Sequence, residues 1–296
     1  MSRIVFLLSL LTALLLLPSQ LVWAEDPAVE MAVAAEDSGE EAAEPPLEER
    51  QFNTFLTKLS PDESLYFVMG SRESLNAKFQ FSFKYAFMNP QGAVSKKAPF
   101  FSHVFFGYTQ TSLWDLESES KPFYDTSYRP SLFYRKESLH RSTSGRFKMW
   151  GQAGIEHESN GQGGDESRSL NIVYIRPAFE FDGVLGGGHL SVVPRIWAYI
   201  GDLSDNPDIA RYRGYGDLRV AYTGRAEDWQ IAATLRIGTS GKTSVQFDAT
   251  YPMDRILSRT FDAYLYAQYF DGWGESLRSY DQHLPWQIRI GIAVVR

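Results

Sequence analysis

The sequence predicts an all-β fold, a twelve-stranded antiparallel transmembrane β-barrel, on three observations. From residue 65 onward, apolar and polar residues alternate with a period of two in segment after segment. The segments number twelve, an even count, and most run about ten residues, the length of a tilted strand that crosses a bilayer. A leader for export precedes them. A secreted β-sandwich is the competing fold, but its strands are usually shorter, about five or six residues.

The leader is residues 1–24. It opens with Arg3, continues through IVFLLSLLTALLLL and closes on Val22-Trp23-Ala24, which places small residues at −3 and −1 of a cleavage site. The apolar run is short for a membrane helix of about 20 residues, so a cleaved signal peptide is expected. Residues 25–59 follow as an acidic, flexible N-terminal segment, too poor in apolar surface to fold. The barrel is expected over residues 60–296.

Charge is divided in the same way. The whole chain of 296 residues carries −7, but residues 25–50 hold ten acidic groups and one basic one. Without these and Arg3, 27 Lys+Arg face 26 Asp+Glu, so no nucleic-acid partner is indicated. The absence of cysteine excludes disulfide scaffolds, thiolate zinc sites and cysteine nucleophiles. A content of 20 Phe, 16 Tyr and 7 Trp suits aromatic girdles at the edges of a membrane barrel.

Strands are expected near 65–70, 77–88, 100–112, 127–135, 146–159, 170–182, 189–200, 212–222, 229–238, 243–251, 260–270 and 286–295. In the second, Phe79, Phe81, Phe83, Tyr85 and Phe87 share one face, with Lys78, Gln80, Ser82 and Lys84 on the other. The ninth alternates Trp229, Ile231, Ala233, Leu235 and Ile237 with polar residues, and the last repeats the pattern from Trp286 to Val294. Pro177 and Pro194 fall inside expected strands, where each removes a ladder donor. Connections near 113–126, 160–169, 201–211 and 271–285 are expected on the outer side, and those near 89–99, 136–145, 183–188, 223–228 and 252–259 on the periplasmic side.

No nucleophile elbow, H-E-x-x-H, P-loop or dinucleotide fingerprint is present. His103, His140, His189 and His283 have no supporting constellation. His157 differs. On the strand 146–159 the odd residues Phe147, Met149, Gly151, Ala153 and Ile155 are small or apolar, and His157 and Ser159 continue that face. The next strand carries Asn171 on the same face as Val173 and Ile175. Residues two apart on a strand leave the same side about 7 Å apart, so His157 could act as base for the Ser159 hydroxyl, with Asn171 orienting the ring. The same three residues also read as interfacial polar groups at a strand end, with no chemistry.

The segment HESNGQGGDESRSLNIVYIR, residues 157–176, closely resembles the signature of the outer-membrane phospholipase A family. Further similarity lies in YTQTSLWDL (108–116), KPFYDTSYRP (121–130), SDNPDIARY (204–212) and YFDGWGESL (269–277). The resemblance implies a twelve-stranded outer-membrane barrel, active as a homodimer, that hydrolyses sn-1 and sn-2 acyl esters of membrane phospholipids and lysophospholipids with Ca2+. It implies His157 as proton acceptor, Ser159 as nucleophile, Asn171 as orienting residue and the Gly161 N–H as oxyanion donor. It further implies calcium ligands at the dimer seam in the Gln162 carbonyl, the Ser167 hydroxyl and the carbonyl of Ser120 from the partner chain, an acidic ligand of a second calcium site in Asp205, and a dimer-interface role for Gln110. The chain departs from the family at Gln162, where Arg is usual, and at Gly164, where the family's aspartate is displaced to Asp165. Two other functions stay open: a non-enzymatic porin or structural barrel, and a serine hydrolase acting on lipid A or another surface ester.

Overall fold

A computed structural model describes residues 54–71, 74–89, 92–120, 122–257 and 262–296. The expected signal peptide and most of the acidic segment therefore lie outside the described residues. The chain divides into two units, Met1–Ser60 and Pro61–Arg296. Within the first, the described residues end in a two-residue strand, β1 (Leu59–Ser60).

The second unit holds twelve strands: β2 (Leu65–Gly70), β3 (Asn76–Ala86), β4 (Val104–Asp115), β5 (Phe123–Arg141), β6 (Phe147–Ser159) and β7 (Ser169–Val184), followed by β8 (Gly188–Ile200), β9 (Gly216–Thr223), β10 (Gln230–Ile237), β11 (Thr243–Pro252), β12 (Tyr264–Trp273) and β13 (His283–Val295). Each pairs antiparallel with its neighbour in sequence, and β13 pairs with β2, so the sheet closes. Closure leaves no edge of unpaired N–H and C=O groups, the condition for a β structure in hydrocarbon. No described helix is long and apolar enough to cross a membrane, which leaves a strand barrel untouched.

The alternation read from the sequence is the inside–outside alternation of this barrel. On β6, Trp150, Gln152, Glu156 and Glu158 are buried inside, while Ala153, Ile155 and His157 are exposed outside. On β13, Arg289 is 2% exposed and its neighbours Ile288 and Ile290 are 47% and 56% exposed. Large aliphatic residues face outward and charges face inward, the reverse of a protein packed for water.

Inside, the charges are paired. Arg289 makes a bidentate contact with Glu275 at 2.6 and 3.1 Å, and Lys78 adds a third bond to the same carboxylate at 3.1 Å. Arg195 meets Glu156 at 2.9 Å and Arg213 meets Glu158 at 3.0 Å. Glu63, just before β2, meets Arg129 at 2.9 Å. All of these side chains except Glu156 and Arg289 line a cavity of about 620 Å³ within the barrel. Towards one rim the interior becomes apolar: Phe133, Leu170, Ile172, Tyr174, Trp197, Ile209, Leu277 and Tyr280 form a buried cluster. Ile209 and Leu277 belong to rim connections and are fully buried, so these connections fold inward and cap that end.

All twelve expected strands form, with shifted ends. β5 is longer than its alternation suggested. β9 starts at Gly216 because residues 210–213 take a helical turn that Gly214 ends at φ 62°. β12 continues to Trp273 past a register shift with β13 between Phe270 and Gly272, the latter at φ 124°. The two prolines do not break their strands. The register set by Ile175–Ile196 and Phe179–Val192 puts Pro177 opposite Pro194, so a single gap in the β7–β8 ladder absorbs both missing donors. The connections expected outside, 160–168, 201–215 and 274–282 among them, gather at one rim. That rim carries the candidate site.

Candidate active site

The site is the hairpin end formed by β6, the 160–168 connection and β7. His157 lies directly opposite Asn171 in the antiparallel register, and Ser159 opposite Ser169. The inward neighbours fix the strand: Glu156 and Glu158 are tied to Arg195 and Arg213, and Leu170 and Ile172 sit in the apolar cluster. A strand locked on its inner face cannot roll, so its outer face is presented at a set angle.

On that outer face His157 Nδ1 lies 2.9 Å from Asn171 Oδ1. Since the amide oxygen only accepts, Nδ1 carries the ring proton and the Nε2 lone pair remains free to act as a base. The imidazole is exposed, Asn171 half-buried. Ser159 is half-buried, and its Oγ accepts a hydrogen bond from the Gly161 N–H at 3.1 Å. Among the described residues, the structure thus brings together His157 with Asn171, and Ser159 with Gly161. The Ser159 hydroxyl rests on the backbone donor instead of on the imidazole.

Gly161 adopts φ 68°, a left-handed conformation. A Cβ there would stand 2.9 Å from Cε2 of Tyr128. Tyr128 is the residue opposite Ser159 on β5 and is 37% exposed on the outer face. Glycine is thus required twice over, by backbone conformation and by the aromatic wall beside the serine.

The other sequence-predicted residues spread around the same rim. Ser167 Oγ donates to Asp205 Oδ2 at 2.9 Å, and Ser169 Oγ donates to the same oxygen at 3.3 Å. Gln162 is exposed and its N–H is held by Asn160 Oδ1 at 3.2 Å. Ser120 sits in the β4–β5 connection with φ 67°. Gln110 accepts from the Tyr108 hydroxyl at 3.1 Å and donates to Ser112 Oγ at 3.3 Å. It also stands opposite Tyr128, so Gln110, Tyr128 and Ser159 form one cross-strand row on the outer surface.

Among the described residues no group of three or more His, Cys, Asp or Glu side chains gathers as a metal cluster. The donors around Asp205 are nevertheless all oxygen: one carboxylate with two hydroxyls bonded to it. That set fits a hard cation held mainly by hydroxyl, carbonyl and water oxygens, as Ca2+ accepts. Nearby, Ser204 donates its hydroxyl and its N–H to Asp202, holding that exposed carboxyl below its ordinary range.

Sequence reasoning missed three contributors. Asn160, 2% exposed, bonds to three residues of its own connection. Ser169 joins Ser167 on Asp205. Arg278, from the 274–282 connection, donates its N–H to Asp125 at 2.8 Å and its guanidinium to Tyr124 O at 3.1 Å and Glu166 at 2.6 Å. The Asn-Gly pair after Ser159 was the available signal for the first; nothing local marks Arg278.

Residues 52–295 match the family model described as Phospholipase A1. The chain is 36% identical over 199 residues to a relative from Neisseria meningitidis serogroup B, a match covering 64% of this chain and 48% of the relative. It is 33% identical over 195 residues to the phospholipase A1 of Escherichia coli K12, covering 64% and 60%. The matched region thus spans about half to three-fifths of these relatives' own length. Among solved structures, the Salmonella typhi outer membrane phospholipase, a dimer with bound calcium, superposes with a TM-score of 0.67 at 24% identity, over 80% of this chain and 92% of that one. That likeness concerns the fold. The match along 52–295 settles the family: this chain belongs to the phospholipase A1 family.

Proposed function

We propose that this protein is a calcium-dependent outer-membrane phospholipase. It would cleave sn-1 and sn-2 acyl esters of phospholipids, and of lysophospholipids, through Ser159, His157 and Asn171. The observation that carries this reading is the placement of all three on the lipid-facing side of the barrel, with the Gly161 N–H already aimed at Ser159 Oγ. A polar constellation on an apolar membrane face is costly unless it has work to do.

In the mechanism, an acyl ester approaches Ser159 along the outer face, beside Tyr128. His157 Nε2 takes the hydroxyl proton as Ser159 Oγ attacks the ester carbonyl, and Asn171 holds the ring with Nδ1–H directed at its own oxygen. The carbonyl oxygen becomes negative, and the Gly161 N–H stabilises it once released from its resting bond to Ser159. His157 then passes the proton to the departing glycerol oxygen, leaving an acyl-serine. Water, deprotonated by the same imidazole, hydrolyses it to free fatty acid. Because Asn171 is neutral, it stabilises the imidazolium less than a carboxylate would, and more of the burden falls on the oxyanion donors.

Gln162 and Ser167, with Ser120 of the partner subunit, would hold Ca2+ at the dimer seam, where the ion would supply positive charge for the developing oxyanion, and Asp205 would serve a second calcium site. Gln110, in the row that leads to Ser159, would lie at the dimer seam. Residues 1–24 would act as a cleaved signal peptide, and the barrel would sit in the outer membrane. The inward-folded cap of Ile209 and Leu277 disfavours a wide pore.

The test is acyl release from mixed outer-membrane lipids, read by mass spectrometry with and without calcium. Ser159→Ala is expected to abolish release while the heat-resistant barrel band on gels remains. Activity that persists in Ser159→Ala, or that ignores excess chelator, overturns the proposal; release confined to lipid A esters redirects it to another surface ester.

A further inference from the structure

The 160–168 connection has to hold the Gly161 N–H on Ser159 and present Gln162 and Ser167, yet it has little apolar packing to hold it in shape. Gly161, Gly163 and Gly164 leave its backbone loose, and residues 161–166 are all exposed. Asn160 is the one buried residue of the connection. Its side chain uses both ends: Nδ2 donates to Glu166 O at 2.8 Å, and Oδ1 accepts from the N–H of Gln162 at 3.2 Å and of Arg168 at 3.0 Å. Its backbone N–H closes the ring to Arg168 O at 3.0 Å.

We propose that Asn160 is the positioning residue of this site, the template around which the 160–168 connection folds so that the Gly161 N–H and the cation-binding oxygens meet Ser159. The inference rests on the hydrolase reading for its consequence in catalysis, though the loop geometry stands without it. Three side-chain bonds from one buried amide replace the packing that the glycine-rich segment lacks. They bracket the peptide between Asn160 and Gly161, whose N–H reaches Ser159 Oγ at 3.1 Å. A donor displaced by an ångström loses most of its grip on an oxyanion. Asn160 itself faces away from Ser159, into the loop, and so acts only through Gly161 and its neighbours. Asparagine fits because the role needs one donor and one twofold acceptor on a short stem; aspartate keeps the acceptor and loses the donor.

The experiment compares full-length wild type, Asn160→Ala, Asn160→Asp and Ser159→Ala in detergent micelles. It reads kcat and KM for acyl release, the calcium concentration for half activation, and limited proteolysis between 161 and 166. Asn160→Ala is expected to lower kcat roughly ten- to hundred-fold with KM little changed. It should also raise the calcium requirement and open the loop to cleavage, with the heat-resistant barrel intact. Asn160→Asp is expected to recover part of kcat. A kcat for Asn160→Ala within about twofold of wild type, or an uncleaved loop, overturns the inference, as does loss of the folded barrel, because a positioning role confines the damage to the loop. If wild type releases no more fatty acid than Ser159→Ala, the hydrolase reading fails, and proteolysis alone then decides whether Asn160 folds the loop.

Discussion

Asn171 stands directly across the β6–β7 ladder from His157 and holds its Nδ1 at 2.9 Å. The bond selects one tautomer and one ring orientation at no cost in loop entropy, because both residues sit on locked strands. Asn171→Ala is expected to lower kcat on the order of 10²-fold with the barrel unchanged, since the base survives but is no longer oriented. Asn171→Asp restores an acceptor and should recover most of that loss. Steady-state kinetics on phospholipid micelles check both.

Gly161→Ala meets two penalties. A left-handed φ costs an alanine about 1–2 kcal/mol, and its methyl group would press on Tyr128. The loop can escape only by moving its N–H away from Ser159, so kcat should fall at least about tenfold. Tyr128→Ala relieves the contact but not the backbone strain. The double variant is therefore expected to regain only part of the rate, a coupling that a double-mutant cycle measures directly.

How far the sequence could be read depended on where each residue's partner lies. His157 and Ser159 stand two apart on one strand, and Asn171 follows after a short turn, so a period-two pattern placed all three on one face. Each proline, taken with its own strand alone, removes a ladder donor; only the β7–β8 register reveals that Pro177 and Pro194 share one gap. Arg278 was invisible for a related reason. Its partners Glu166 and Asp125 are 112 and 153 residues away, and a closed barrel brings together connections that no local pattern relates. The apolar cap behind Asn171 is not legible in the sequence because Ile209 and Leu277 come from connections with no apolar periodicity of their own.

Arg278 ties its own connection to the 160–168 connection and to the start of β5, but its pair with Glu166 is exposed, 39% and 56% at the two side chains. Such a pair contributes under about 1 kcal/mol to stability. Arg278→Ala should therefore leave the thermal midpoint of the barrel nearly unchanged. The loop bearing Gly161, Gln162 and Ser167 would lose its outer strap, and the calcium concentration for half-maximal activity should rise several-fold. Calcium titrations of activity beside heat-modifiability gels separate the two effects.

Glu275 makes the barrel's acid stability readable. Burial alone would push this carboxyl up, but the charges of Lys78 and Arg289 outweigh it and bring it down to about 2, from an ordinary 4.5. A carboxyl whose pKa is depressed by folding stabilises the fold above its unfolded value and loses that contribution as pH falls through the folded one. The loss should thus fall between about pH 4.5 and 2 and amount to on the order of 3 kcal/mol. At the end of it, Lys78 and Arg289 are left buried facing a neutral acid. Glu275→Gln should already lack the contribution at pH 7, where removing one partner of a buried pair costs about 3–5 kcal/mol. Its urea midpoint should then change less than that of wild type across this interval. Equal acid sensitivity of the two proteins would assign the transition to another carboxyl, with Glu63, held at about 2 by Arg129 and Arg176 against the opposing effect of burial, the next to replace.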